Sequence, residues 1–298
     1  MIASTITIPV LGQPHLLEAA LTSLIENSFY KHRIIVIMSE EPPDEHHTGG
    51  ARDWKIVDGR CLKTYESVAD LRAKRGAWLD VHGVEFVDVT EEAREFHART
   101  RAVRVVDGGV DVAFKNNAGL KLTDTEWTIP NWDCDFFAGL HWDRPLVDYA
   151  RLLAPSDKVS LVPMHVQPRL FDALPVWSDP WESSRAVASN VLGMPTTRVV
   201  HARSEADTCP YVTADEFYAF CIRMARPGVQ IHEKPGERSR AHWVPAMLRT
   251  RDVVDAGAYA LIGCGYDLEF DNRLGDCGFR KVGFCDSFQL HKGYPPVA

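Results

Sequence analysis

The sequence predicts an α/β fold built on a central sheet that is mostly parallel. Residues 33–38 (Arg-Ile-Ile-Val-Ile-Met) form an uninterrupted apolar run, which is typical of a parallel strand buried on both faces. Before this run, residues 16–27 carry apolar side chains at a helical period. A chain of 298 residues with 45% apolar content is long enough for one large α/β domain, or for a domain with a subdomain.

The other elements follow from local patterns, taken in chain order. Residues 4–10 alternate in polarity as a strand does and lead into the predicted helix. Residues 40–60 are rich in Pro, Gly and charged side chains and predict a loop. The short apolar run 127–130 predicts a further strand. Farther along, residues 158–163 predict a strand and residues 214–226 predict a helix.

Composition argues against several classes of protein. No run approaches the roughly 18–20 apolar residues that a membrane span needs, and Met1 leads into the first strand without a signal segment. The seven cysteines are scattered and include no C-x-x-C pair, so we expect neither a disulfide framework nor a zinc site. A reducing, cytoplasmic compartment is expected. The net charge of −8 disfavours broad binding to nucleic acid or anionic membrane, although a local basic patch stays open.

Asp133 and Asp135 are the first candidate functional residues. They flank Cys134 within residues 131–137 (Asn-Trp-Asp-Cys-Asp-Phe-Phe), where the predicted strand ends and a loop begins. Two carboxylates there repel each other unless a cation lies between them, and a hard divalent ion shared with a diphosphate would meet that need. The alternative is a solvated acidic turn. We expect Cys134, as the alternate residue, to point into the core rather than to act as a nucleophile.

The C-terminal region contains a second set of motifs. Residues 247–251 place two arginines after apolar residues, and residues 263–271 read Gly-Cys-Gly-Tyr-Asp-Leu-Glu-Phe-Asp. Arg273 follows, with Gly278 five residues and His291 eighteen residues beyond it. This order resembles the family 2 type of GT-A glycosyltransferases, over most of residues 1–150 and 240–293. The resemblance implies a GT-A fold, a Rossmann-like three-layer sandwich with a mixed, mostly parallel central sheet.

The N-terminal half agrees with this resemblance. The first strand ends near Pro9, as the opening strand of the family does. Residues 115–119 (Lys-Asn-Asn-Ala-Gly) are similar to the Arg-Asn-x-Gly motif that starts a helix in the family, and Asn117 precedes Asp133 by sixteen residues.

Two positions depart from the family pattern. Tyr266 stands where the acidic motif usually has its first Glu, which leaves Asp267 and Glu269 as the matching acids. Ser39 stands where the family has an Asp that helps to hold the uracil or ribose, so that Glu40 is a substitute candidate.

The resemblance implies a role for each motif residue. Asp135 is the direct metal ligand, Asp133 reaches the ribose or the ion through water, and His291 is a further ligand. Asp267 matches the general base, which takes a proton from the acceptor hydroxyl during in-line attack with inversion. Other interpretations stay open, because Asp267 also fits a helix N-cap and His291 also fits a surface histidine. The donor-binding residues that the resemblance implies are Pro9, Glu40, Asn117, Asp133 and Arg249.

These roles divide the chain into two parts. We expect residues 1–150 to form the nucleotide-sugar-binding half, and residues 151–298 to form the acceptor-binding half with the C-terminal metal and base motifs. The implied enzyme is a hexosyl- or pentosyltransferase that uses Mn2+ or Mg2+. Its donor is a nucleoside diphosphate sugar, with a UDP-sugar as first choice, and its acceptor is a glycan or another hydroxyl-bearing molecule. One alternative is the same chemistry on a hydroxylated nucleic-acid base. The other is a catalytically silent nucleotide-sugar-binding module, which the departures at Ser39 and Tyr266 favour.

Two further segments carry weaker signals. Residues 226–243 are the most basic part of the chain, and Arg238, Arg240 and His242 could close over a diphosphate. A solvated surface loop is the alternative. Trp177 and Trp181 lie in an irregular segment, where they suit either stacking on sugar faces or filling the core beneath a loop.

Overall fold

The structure is a computed structural model of the chain, and it describes most of residues 1–150 and fewer than half of residues 151–298. The described residues are 2–10, 14–39, 56–57, 60–61, 68–99, 109–132, 136–166, 221–232, 245–261 and 266–291. Glu40, Asp133, Asp135, Trp177, Trp181, Arg238, Arg240 and His242 lie outside the described residues.

Strands and helices alternate along the first half, and strands return near the end of the chain. The strands are β1 (Thr5–Pro9), β2 (Arg33–Met38), β3 (Ile56–Val57), β4 (Arg60–Cys61), β5 (Val84–Asp88), β6 (Trp127–Ile129), β7 (Phe136–Ala138), β8 (Val159–Val166), β9 (Gln230–His232), β10 (Met247–Arg249) and β11 (Arg280–His291). The helices are α1 (Pro14–Asn27), α2 (Val68–Val81), α3 (Thr90–Arg99), α4 (Gly109–Leu122), α5 (Arg144–Ala150), α6 (Thr250–Ala256) and α7 (Tyr266–Asp276).

Nine of the described strands form one mixed sheet. Its order is β5-β2-β1-β6-β10-β8-β11-β7, and β9 pairs with β11 beside this path. Strands β1, β2, β5, β6, β8 and β11 run in one direction, whereas β7, β9 and β10 run in the other. The sheet is therefore mostly parallel, as predicted. The two expected halves of the chain share it, because β10 lies between β6 and β8 while β7 pairs with β11.

Helices cover both faces of the sheet and give it three layers. On one face, Ile6 and Ile8 of β1 share a buried apolar cluster with Leu17 and Leu21 of α1. On the other face, Ile35 and Ile37 of β2 pack with Phe114 and Ala118 of α4. Helix α4 approaches β1 closely, since a Cβ added at Gly119 would come within 2.9 Å of the Thr7 side chain.

The structure confirms the strands predicted at residues 4–10, 33–38, 127–130 and 158–163 and the first helix. Three expectations were wrong in detail. The motif at residues 115–119 does not start a helix, because α4 begins at Gly109, six residues before Lys115. The expected loop up to residue 60 contains part of the β3–β4 hairpin, and the basic segment begins with a turn and strand β9.

A buried polar network joins the start of β2 to the start of α5. The Asp143 carboxylate, 1% exposed, accepts the backbone N–H groups of Phe29 and Tyr30, both at 2.7 Å. It also pairs with His32 Nε2 at 2.9 Å, and His32 Nδ1 lies 2.8 Å from the Ser4 hydroxyl. Buried carboxylates are tolerated when their oxygens are fully hydrogen-bonded, as here.

Asp286 lies in an irregularity of β11, where the register with β8 shifts between Phe284 and Phe288. Burial raises the pKa of the Asp286 carboxyl, and hydrogen bonds from its own N–H and that of Gly228 only partly oppose this effect. A carboxyl with a raised folded-state pKa favours its protonated form. The resulting stabilisation is present at low pH and is lost as the pH rises through the folded pKa.

We expect Asp143→Ala to lower the free energy of unfolding by about 3 kcal/mol, because it leaves two buried N–H groups and the His32 ring without their acceptor. Urea denaturation measures this change. The control is Asp148→Ala on the same helix, whose carboxylate is half-exposed and should matter much less. Equal losses in the two variants would contradict the assignment.

We expect Asp286→Asn to raise the melting temperature at neutral pH, because the amide cannot carry the charge that burial disfavours. The gain should shrink as the pH falls toward about 4, where the unfolded-state carboxyl also becomes protonated. Thermal melts from pH 4 to pH 8 test this, with Asp255→Asn at an exposed position as the control. A lower melting temperature at pH 7 would show that the hydrogen bonds to the carboxylate outweigh its burial.

Candidate active site

The predicted metal motif follows the carboxyl end of β6, and the structure describes both of its flanks. Asn131 has a left-handed backbone with φ of 59°, and the fully buried Trp132 comes next. The Trp132 backbone N–H donates to Thr7 O at 3.0 Å, while its indole N–H donates to Phe136 O at 3.1 Å. Trp132 thus ties the two ends of the motif together and ties the first end to β1. Its ring also packs on Trp142, with centroids 4.7 Å apart.

Strand β11 brings His291 back to this motif. In the antiparallel pairing of β11 with β7, His291 lies opposite Phe136, the residue that follows Asp135. Residues that pair directly across an antiparallel ladder have Cα atoms about 4.5–5.5 Å apart. The backbone positions of His291 and Phe136 are therefore neighbours, although they lie far apart in sequence.

The predicted donors suit a divalent ion, because Mn2+ accepts carboxylate oxygen and imidazole nitrogen. Within the described ranges, no group of three or more His, Cys, Asp or Glu side chains could hold a metal. Metal binding by Asp133, Asp135 and His291 stays a prediction.

Asp267 lies in the first turn of α7, as predicted, and is 6% exposed. It lines a small pocket between this helix and the end of β6. The polar side chains of the pocket wall are Asn131, Ser160, Tyr259, Asp267 and Asp271. The Asp267 carboxylate is a candidate to accept a proton from a hydroxyl in the pocket. The pocket connects the base candidate to the edge of the sheet where the metal motif begins.

Two other acids of α7 are engaged by cations. Glu269 accepts two hydrogen bonds from Arg273, at 2.9 and 2.8 Å. Asp271 shares a face with Asp267 and lines the same pocket, but it forms a half-buried ion pair with Lys281 at 2.6 Å. Asp267 stays the general-base candidate that the family resemblance implies.

Tyr259 forms part of the pocket wall. Its ring stacks on Phe270 of α7, with centroids 4.1 Å apart and planes at 27°. Burial raises the pKa of the Tyr259 phenol, and the charges of Asp267 and Asp271 raise it further. The hydroxyl thus stays protonated at any working pH and can serve as a hydrogen-bond donor in the pocket.

Pro9 and Asn117 lie close to the nucleotide-binding edge that the resemblance implies. Pro9 is buried at the carboxyl end of β1, opposite Ile37 of β2. The fully buried Lys115 donates from Nζ to Val10 O at 2.7 Å, just beyond that strand. Asn117 binds the Tyr259 backbone, accepting its N–H and donating to its carbonyl, both at 2.8 Å. Donor binding by Pro9 and Asn117 stays a prediction.

The structure does not bring Arg249 to the pocket. It ends β10 opposite Trp127, the first residue of β6, whereas the pocket lies beyond the last residue of that strand. Its guanidinium is 3% exposed, donates to Ala154 O at 3.2 Å and to Pro155 O at 2.6 Å, and lies over the Trp127 ring. These contacts hold the Arg249 side chain in place, and donor binding by Arg249 stays a prediction.

Sequence reasoning missed four residues at this site: Lys115, Asn116, Trp132 and Tyr259. Trp132 adjoins the acidic motif, which was the one signal that could have drawn attention to it. Lys115 and Asn116 lie in the motif of residues 115–119, but no local pattern reports their contacts with Val10 and Asn131 or the contact of Tyr259 with Asn117.

No protein-family model matches the chain, and neither does any curated protein. Among solved structures, GalNAc-T7 with UDP, GalNAc and Mn2+ superimposes with a TM-score of 0.51 at 12% identity, covering 97% of this chain and 44% of that one. The fold is that of the GT-A glycosyltransferases. Residues 1–349 of TarS from S. aureus superimpose with a TM-score of 0.49 at 11% identity, covering 97% of this chain and 60% of that one. The mannosyltransferase PcManGT from Pyrobaculum calidifontis, in complex with GDP-Man and Mn2+, superimposes with a TM-score of 0.47 at 13% identity. The match covers 97% of this chain and 58% of that one.

This chain spans only part of those proteins: 60% of TarS 1–349, 58% of PcManGT and 44% of GalNAc-T7. Within the residues that the structure describes, no helix is both long and apolar enough to cross a membrane.

Proposed function

We propose that the protein is a metal-dependent glycosyltransferase, which transfers a sugar from a nucleoside diphosphate sugar to an acceptor hydroxyl with inversion. The observation that carries the proposal is the pocket between β6 and α7, with Asn131 on one side and Asp267 on the other. This shared pocket supports the proposal, because Asp267 is the predicted general base and Asn131 comes just before the predicted metal ligands. The complex of GalNAc-T7 with UDP, GalNAc and Mn2+, on the same fold, supports a UDP-sugar as donor.

The donor side lies at the carboxyl edge of β1 and β6. Asp135, Asp133 and His291 would hold a divalent ion there, and such an ion neutralises the leaving diphosphate as the anomeric bond breaks. Pro9 would border the nucleotide at the end of β1. Mn2+ suits the mixed oxygen and nitrogen donors, and Mg2+ is the other candidate for the carboxylates.

The acceptor side is the pocket beside α7. Asp267 would accept the proton of the acceptor hydroxyl while that oxygen attacks the anomeric carbon from the face opposite the diphosphate. Its place in the wall of the pocket would align the carboxylate with that hydroxyl. The proton passes from the hydroxyl to the carboxylate, and the bond from sugar to diphosphate breaks as the new glycosidic bond forms. A glycan or another hydroxyl-bearing molecule fits a pocket walled by carboxylates and hydroxyl groups.

Release of UDP from UDP-sugars in the presence of Mn2+ tests the proposal directly, with water as the acceptor. Measurable hydrolysis that stops when the metal is chelated supports a transferase. Mn2+-dependent UDP binding without any turnover would instead support a catalytically silent binding module.

We expect Asp135→Ala to abolish metal-dependent turnover and to remove the Mn2+-dependent part of the affinity for UDP. The fold should survive, because the buried flanks Trp132 and Phe136 are unchanged. Titration calorimetry with UDP, with and without Mn2+, measures the loss, and circular dichroism checks the fold. His291→Ala should weaken Mn2+ binding in the same direction. Wild-type turnover by Asp135→Ala in the presence of a chelator would eliminate the metal site.

We expect Asp267→Asn to lower kcat by about 100- to 10,000-fold while donor affinity changes little, because the amide keeps the shape but cannot take a proton. Asp271→Asn and Glu269→Gln are the matched controls on the same helix. Asp271→Asn breaks the pair with Lys281 and should cost stability more than turnover. If one of the controls is inactive while Asp267→Asn turns over normally, the base is that residue and not Asp267.

A further inference from the structure

Two adjacent asparagines of α4 bind opposite sides of the proposed active site. Asn116 is fully buried, and its Nδ2 donates to Oδ1 of Asn131 at 2.8 Å. Asn117 makes a reciprocal pair with the backbone of Tyr259, through one bond given and one received. Neighbouring residues on a helix point about 100° apart, which lets α4 reach both sides at once.

The partner of Asn116 belongs to the donor side. Asn131 has a left-handed backbone, a conformation that is costly for a residue with a side chain unless its surroundings hold it. It is the second residue before Asp133, so its orientation sets the direction in which the chain enters the metal motif. The hydrogen bond from Asn116 on α4 fixes the Asn131 side chain.

The partner of Asn117 belongs to the acceptor side. Tyr259 lines the pocket and stacks on Phe270, which lies three residues after Asp267 on α7. The carbonyls just before it are held as well, because Arg273 donates to Ala256 O at 3.0 Å and to Ala258 O at 2.8 Å. Four side-chain hydrogen bonds therefore fix the segment that faces the base candidate.

We infer that Asn116 and Asn117 are separate positioning residues, Asn116 for the metal and donor side through Asn131, and Asn117 for the acceptor pocket through Tyr259. This inference rests on the proposed function. It differs from the donor-binding role that the family resemblance implies for Asn117. Both polar atoms of the Asn117 amide are engaged by Tyr259, and contact with a nucleotide would compete with those bonds.

The two roles predict opposite kinetic signatures. Asn117→Ala should lower kcat for hydrolysis of a UDP-hexose by about 10- to 100-fold, because a small displacement of the pocket wall misaligns the attacking oxygen and Asp267. Its affinity for UDP with Mn2+ should stay within about twofold of wild type, since the donor side is intact. Asn116→Ala should weaken the affinity for UDP with Mn2+ by about tenfold or more. Each variant is thus the matched control of the other.

A second measurement does not depend on activity. The Tyr259 N–H donates to Asn117, so its hydrogen exchange in the protein without ligands should accelerate in Asn117→Ala and stay unchanged in Asn116→Ala. Exchange in β1 and β2 reports whether each variant keeps the core. Asn117→Asp keeps the acceptor for the Tyr259 N–H and should recover part of the protection and part of kcat.

The outcomes separate the inference from the proposed function. A wild-type protein that neither binds UDP with Mn2+ nor hydrolyses a UDP-hexose would overturn both. An active wild type, with Asn117→Ala losing UDP affinity, would overturn the inference alone and return Asn117 to the donor site. Equal effects of the two alanine variants on kcat and on affinity would also overturn it, because they would show one shared structural role.

Discussion

The rest of this structure depends on one constraint: strands from the C-terminal part of the chain lie between strands from earlier parts in the same sheet. β10 lies between β6 and β8, and β11 pairs with both β8 and β7. The sheet cannot be completed by the first half of the chain, since two of its inner positions are filled by residues beyond 246. The same pairings create the site, because they bring His291 beside the acidic motif and set α7 against the end of β6.

The charges around the pocket follow from this arrangement. Near the start of α7, Glu269 pairs with Arg273 on the same helix and Asp271 pairs with Lys281 on the following strand. The first pair spans one turn of the helix, and the second joins the helix to β11.

The sequence was informative where a residue's neighbours in the chain decide its structure. The apolar run of β2, the period of α1 and the glycine-flanked start of α7 were predicted because each depends on local preference and burial. The bond of Asn117 to Tyr259 spans 142 residues, and no periodicity reports such a contact. The direction of β10 is a related case. The pattern of apolar residues followed by arginine fits either direction of a strand, and the structure makes β10 antiparallel to β6, so that Arg249 lies opposite Trp127.

The network of Ser4, His32 and Asp143 has a consequence for how such structures are compared. A hydroxyl, an imidazole and a carboxylate are joined in a line, with adjacent atoms 2.8 and 2.9 Å apart, and these are the side-chain types of the hydrolytic triads of serine enzymes. A search that matches only the three side-chain types by proximity would report a nucleophile here. The ring nitrogens are exchanged, however, because His32 Nδ1 faces the hydroxyl, whereas in the triads Nε2 does. Ser4 is also fully buried just before β1 and no substrate carbonyl could approach its oxygen, so atom roles and accessibility together distinguish this scaffold from an esterase.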